Sequence, residues 1–262
     1  MSTKRILLLI LAAVVVGVCV TGSPVFAGNN RTLTVVAVVY VKPGFEDQVK
    51  EELLKLVPLT HLEPGCLQYD MHVNIDLDTL KINPRLYLFY ENWRSREDWD
   101  LHMKMPYLKT WFDMAPQVTE KIELTIWEKY PVNTNPTFRG GAAPAPEEQF
   151  SLMAQVFIKP GFEDKGHKEM LALIPLTHLE PGCINYDMHV NLDMDTMAPI
   201  PQKVLFYENW YNYKVWKIDH MKSDYLVRWF DMAPKVTDKI DLTGWQRMHF
   251  SEKYEPVQWK AE

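Results

Sequence analysis

The strongest constraint on this chain is an internal duplication. Pro58-Leu-Thr-His-Leu-Glu-Pro-Gly-Cys66 returns as Pro175-Leu-Thr-His-Leu-Glu-Pro-Gly-Cys183. Tyr69-Asp-Met-His-Val-Asn74 returns as Tyr186-Asp-Met-His-Val-Asn191, Phe89-Tyr-Glu-Asn-Trp93 as Phe206-Tyr-Glu-Asn-Trp210, and Trp111-Phe-Asp-Met-Ala-Pro116 as Trp229-Phe-Asp-Met-Ala-Pro234. The offset is 117 through Trp99/Trp216 and 118 from His102/His220 onward, so the second copy carries one extra residue just before its histidine. One insertion rotates the rest of a helix by about 100° unless a π-bulge absorbs it. Two copies are too few for a solenoid. They suggest a dimer fused into one chain.

The flanking segments read differently. Lys4 and Arg5 precede an apolar run from Ile6 to Val20, and Pro24-Val25-Phe26-Ala27 follows, as in an export signal cut after Ala27. The run is shorter than the ~20 residues a membrane span prefers. The expectation is an exported protein, periplasmic or secreted, with no membrane segment after cleavage; a retained anchor is the alternative. Pro131 to Gln149 is rich in Pro, Gly, Ala and Asn and reads as a linker. The expected divisions are thus a signal at 1–27, one domain at 33–130, a linker at 131–149 and a second domain at 150–249. Without residues 1–27, 26 basic groups face 34 acidic ones, a net charge of −8. That surface, with no Lys/Arg cluster, argues against nucleic acid and anionic membranes as partners. Cys66 and Cys183 occupy the same position in the two copies; a disulfide between them requires that position to lie near the pseudo-twofold axis, and buried free thiols are the favoured reading.

Within one copy, Leu33 to Val41 is a β-branched run suited to a strand buried on both faces. Phe45, Val49, Leu53 and Leu56 mark a helix, and Glu63-Pro64-Gly65 a turn. Leu67 to Val73 alternates as a strand, with Asp70 and His72 on the face opposite Tyr69 and Met71. Asn74 to Pro84 is a polar loop and Arg85 to Trp93 an aromatic strand. Ser95 caps a second helix, which Pro106 breaks or restarts, and Ile122 to Trp127 closes the unit. The order β-α-β-β-α-β is ferredoxin-like. The first and third strands are apolar on both sides, so each sheet needs a second cover. The other copy's sheet supplies one, giving an α+β fold: two repeats packed into an intramolecular barrel with helices outside.

Glu-Pro-Gly-Cys-x-x-Tyr, a polar loop, an apolar strand ending Glu-x-Trp and then a helical histidine resemble the antibiotic biosynthesis monooxygenase family, over about residues 33–130 and 150–249. The resemblance implies a dimeric α+β barrel and oxidation of a quinol-like or phenolic aromatic by molecular oxygen, with no cofactor. A sister branch that degrades haem uses an Asn on the first strand, and none lies within Leu33–Val41 or Phe150–Ile158. The alternative is an exported, non-catalytic protein holding a small aromatic or tetrapyrrole. Further assembly of the pseudo-dimer is left open.

His102 and His220 hold the family's histidine position and are the candidate bases, since an imidazole can take a phenolic proton. Glu91 and Glu208, in apolar strands, could orient those histidines or form structural ion pairs. Trp93, Trp210, Tyr69 and Tyr186 are candidates for stacking on a substrate or for core filling. His72, His189, Asn74 and Asn191 are candidates for a pocket rim or for polar contacts between the halves. Asn74-x-Asp76-x-Asp78 and Asn191-x-Asp193-x-Asp195 open like a calcium loop. Thr79 and Arg85, or Thr196 and Gln202, stand where that loop needs Gly and Glu, so no metal is expected there.

Overall fold

The computed structural model describes residues 32–132 and 148–248. The expected export signal and most of the expected linker lie outside them. The first repeat contains β1 (Leu33–Val41), α1 (Glu46–Thr60), β2 (Cys66–Ile75), β3 (Ile82–Trp93), α2 (Arg96–His102), α3 (Pro106–Val118) and β4 (Thr119–Lys129). The second contains β5 (Phe150–Ile158), α4 (Glu163–Thr177), β6 (Cys183–Leu192), β7 (Pro199–Trp210), a π-helical turn (Val215–His220), α5 (Asp224–Val236) and β8 (Thr237–Arg247). Pro106 is the restart: its missing N–H costs nothing in the first turn of α3. Ser95 caps α2 by accepting from the Asp98 amide.

All eight strands close into one antiparallel barrel, in the order β1-β3-β2-β8-β5-β7-β6-β4. Each repeat supplies four neighbouring strands, and the seams are β2–β8 and β4–β6. Closure pairs off what would otherwise be four open sheet edges, two on each four-stranded sheet. The alternation of β1 shows how the two faces divide. Val35, Ala37 and Val39 pack with the helices. Val36 and Val38 join Leu88, Tyr90, Trp127, Met153, Leu205, Tyr207 and Trp245 inside the barrel.

The barrel interior is where the structure places His72 and His189. Both are fully buried. Tyr207 Oη lies 3.0 Å from His72 Nε2 and Tyr90 Oη 2.9 Å from His189 Nε2, each pair joining the two repeats. Asn74 donates to the Gly244 carbonyl (3.0 Å) and Asn191 to the Ile126 carbonyl (2.9 Å), across the same seams. These four residues therefore hold the halves together and are not pocket residues: strand alternation turns them away from the helices. The acidic β2–β3 and β6–β7 hairpins are likewise internally used. Asp76 Oδ1 accepts from the Thr79 amide (2.7 Å) and hydroxyl (2.7 Å), and Asp193 Oδ1 does the same for Thr196.

Candidate active site

Each site lies between the helix-covered face of one repeat's sheet and its second helix. In the first repeat α1 ends at Thr60, whose hydroxyl donates to the Leu56 carbonyl (2.9 Å). The Glu63-Pro64-Gly65 turn then presses against α2. A Cβ on Gly65 would lie 2.3 Å from the Asp98 side chain, so only glycine permits this approach. The turn delivers Glu63 to the buried His102, with Glu63 Oε1 2.7 Å from His102 Nδ1. Tyr107, on the first turn of α3, donates to the same carboxylate oxygen and lies 3.1 Å from the Thr60 hydroxyl.

A carboxylate only accepts, so these bonds place the proton on Nδ1 and leave a bare lone pair on Nε2. Among the described residues Nε2 of His102 has no hydrogen-bond partner. Burial holds the imidazole below its ordinary pKa, and the Glu63 bond works against that shift. The ring is seated 4.5 Å from Trp93 and 5.6 Å from Tyr69, centroid to centroid.

Glu91 has a different partner from the one its position suggests. It does not orient His102. Its Oε2 accepts from the Trp93 indole at 2.8 Å, and Glu63 takes the orienting role. Burial pushes the Glu91 carboxyl up to about 8, so it is a neutral acid at pH 7. Glu208, bonded to Trp210 at 3.0 Å, is pushed up to about 7 by burial, which outweighs the opposing charge of His220. Trp93 and Trp210 are completely buried behind the histidines. Burial also pushes the Cys66 thiol up to about 12, which leaves it unreactive as a nucleophile.

Tyr69, Glu91, Trp99, His102, Met103 and Phe112 line a cavity of about 30 Å³, together with apolar side chains from β1, α3 and β4. That is room for a water or a dioxygen molecule. Trp93 is not among its walls.

The second repeat rebuilds the arrangement despite its extra residue. In α2 the Met103 amide bonds to the Trp99 carbonyl, four residues back; its counterpart Met221 bonds to Trp216, five residues back. The π turn thus absorbs the insertion, and His220 keeps its register. Glu180 Oε2 lies 2.9 Å from His220 Nδ1, Tyr225 donates to Glu180 Oε1 (2.5 Å), and Trp210 lies 4.4 Å from the imidazole. Sequence reasoning missed Glu63, Tyr107 and Thr60, with their counterparts Glu180, Tyr225 and Thr177. The signal was present in the identical Thr-His-Leu-Glu of the two copies.

Among the described residues no three His, Cys, Asp or Glu side chains group as a metal site. Residues 32–114 match the family model described as antibiotic biosynthesis monooxygenase. An uncharacterized protein of Synechocystis is 28% identical over 102 residues, 38% of this chain. The match spans 65% of that relative's length. Among solved structures, a proposed monooxygenase from Fusobacterium nucleatum superposes with a TM-score of 0.66 at 13% identity, over 90% of this chain and 100% of its own. An anthrone oxidase-like protein superposes with a TM-score of 0.61 at 16% identity, over 84% of this chain and 93% of its own. At these identities the likeness establishes the shared α+β fold.

Proposed function

We propose that this chain is a cofactor-independent monooxygenase that oxidises a quinol-like or phenolic aromatic with molecular oxygen. The observation that carries the reading is the buried Glu63–His102 pair beside a cavity that Glu91, its carboxyl raised by burial, also lines. A base oriented by a carboxylate, with a carboxylic acid lining the same cavity, is the pairing that proton abstraction followed by peroxide protonation requires. The match of residues 32–114 to a monooxygenase family supports it.

In this reading a substrate O–H gives its proton to His102 Nε2, and Glu63 stabilises the imidazolium. The electron-rich anion passes one electron to oxygen, and the resulting radical pair closes a C–O bond. Glu91 protonates the peroxide, loss of water leaves the new carbonyl, and release of the His102 proton with uptake of one by Glu91 restores both groups. A hydroquinone plus O₂ gives a hydroxyquinone plus H₂O, so the substrate supplies all four electrons. The cavity of about 30 Å³ accommodates the oxygen; ring entry requires the half-buried Met103 and Phe112 to move aside.

The test is oxygen uptake by the full chain with a panel of hydroquinones, naphthols and anthrones, in the presence of chelator. Uptake above autoxidation, reduced in His102→Ala or His220→Ala and lost in the double variant, supports the reading and assigns each site its share. Uptake that survives the double variant, or none with any substrate, overturns it.

A further inference from the structure

The two sites are fastened to one another. Arg96, at the start of α2, donates from Nη1 to the carbonyl of Met194 at 2.9 Å. Met194 belongs to the β6–β7 hairpin of the other repeat. Tyr213, just before the π turn, donates its hydroxyl to the carbonyl of Leu77 at 2.8 Å. Leu77 belongs to the β2–β3 hairpin of the first repeat. Arg96 and Tyr213 stand 117 residues apart, and so do Leu77 and Met194. These are the same two positions, used reciprocally, with the donor changed from a guanidinium to a phenol.

The coincidence extends one step further. The Arg96 guanidinium lies 5.0 Å from the Trp99 ring centroid, and the Tyr213 ring lies 5.6 Å from that of Trp216. Trp99 is a wall of the first cavity, and both tryptophans sit on the segments that carry the site histidines. Each hairpin is stiffened by its Asp76 or Asp193 turn and passes through a left-handed residue, Leu80 (φ 56°) or Met197 (φ 59°). The donor therefore meets a fixed carbonyl and not a floppy loop.

The donor differs between the copies, yet each reaches the main-chain carbonyl at the same hairpin position. We propose that Arg96 and Tyr213 are positioning residues: each latches the histidine-bearing segment of its own repeat to the hairpin of the other. Each site's own groups come from one repeat, but the segment that carries its histidine is held by the hairpin of the other. The hairpin that clamps α2 is built from β6 and β7, the strands that carry Tyr186, Glu208 and Trp210 of the second site. The latch's kinetic arm rests on the monooxygenase reading; its structural arm does not.

The test uses the full chain with Arg96→Met, Arg96→Tyr and Tyr213→Phe. Arg96→Met keeps length and removes the donors. Arg96→Tyr installs the second repeat's own solution in the first. Amide hydrogen exchange of residues 96–103 and 213–221 is measured in each, with oxygen uptake in His220→Ala or His102→Ala backgrounds to isolate one site. A lost hydrogen bond should speed exchange of the latched segment about threefold to tenfold and lower kcat/KM at that site by a similar factor. Arg96→Tyr should restore both, with the melting temperature little changed. Unaltered exchange in Arg96→Met and Tyr213→Phe, or an Arg96→Tyr variant as loose as Arg96→Met, overturns the latch. If the wild type oxidises no substrate, the exchange arm still decides it, so the two failures are distinct.

Discussion

Tyr90 and Tyr207 stack face to face inside the barrel, one from each repeat, with ring centroids 3.7 Å apart and planes 15° from parallel. Each phenol reaches the histidine of the other repeat, so the stack and its two hydrogen bonds form one buried network across the joined sheets. Such a network adds most when every member is satisfied. It makes the histidines the acid-sensitive part of the barrel.

The sign of that sensitivity follows from the shifts. Burial lowers His72 and His189 to about 4, below the 6.5 of a free imidazole. Between those values the unfolded chain binds more protons than the native one, so stability rises with pH across that window and falls on acidification. Glu91 and Glu208 act in the opposite sense. Their carboxyls, raised to about 8 and about 7, make the native state the better proton binder above 4.5, so stability falls as pH rises through that range. The two effects offset between about 4.5 and 6.5 and leave a decline toward pH 8. Thermal melts from pH 4 to 9 should show that plateau. A Glu91→Gln, Glu208→Gln variant should lose the alkaline decline. An alkaline slope unchanged in that variant would assign the decline to other groups.

Glu63→Gln should separate orientation from burial at the first site. The amide keeps the side-chain shape and still offers an oxygen to His102 Nδ1, but it no longer stabilises an imidazolium. In a His220→Ala background kcat should fall about tenfold to a hundredfold, short of the loss in His102→Ala. Single-turnover uptake against pH is the measurement, and the limb belonging to the imidazole should shift toward lower pH. Activity equal to the parent would remove Glu63 from the mechanism.

Much of this was legible in the residues. β-branched runs apolar on both sides required a cover on each sheet face, and the duplication said what that cover was. Alternation separated His72 from Tyr69 correctly. It did not say which face met helices and which met the other sheet, because the first and third strands are apolar on both sides, so His72 stayed a candidate for either a pocket rim or a contact between the halves. Glu63 was hidden for another reason. It sits in a Glu-Pro-Gly turn whose local chemistry already accounts for the sequence, and its partner His102 is 39 residues away. Glu91, by contrast, stood out as a lone carboxylate in an apolar strand and drew the role that Glu63 fills.

Phe112→Ala should widen the cavity mouth. Phe112 is half-buried and lines the cavity from α3, so truncation removes a movable wall and not a deep core residue. Discrimination between one-ring and two-ring substrates should shift toward the larger, with kcat/KM ratios changed about tenfold, the scale of a few methylenes in an apolar pocket. A competition assay with a hydroquinone and a naphthol reads this directly. Equal losses for both would mean that Phe112 supports the fold and does not gate entry.

The π turn offers the sharpest test of how the second site keeps its geometry. Trp99 and His102 are separated by two residues, and Trp216 and His220 by three, yet both histidines meet a carboxylate from the preceding turn, at 2.7 and 2.9 Å. The wide turn therefore exists to absorb one residue. Lys217 is exposed and lies in the interval that holds the insertion. Deleting it should convert Val215–His220 to α-helix and make the second repeat match the first. The His220–Glu180 contact should persist, and stability should hold or rise, because π geometry is rare and strained in isolation. A crystal structure and a melt of the deletion variant would check both. If deletion instead swings His220 away from Glu180, the wide turn is needed to aim the histidine, and the insertion belongs to the second site's own chemistry.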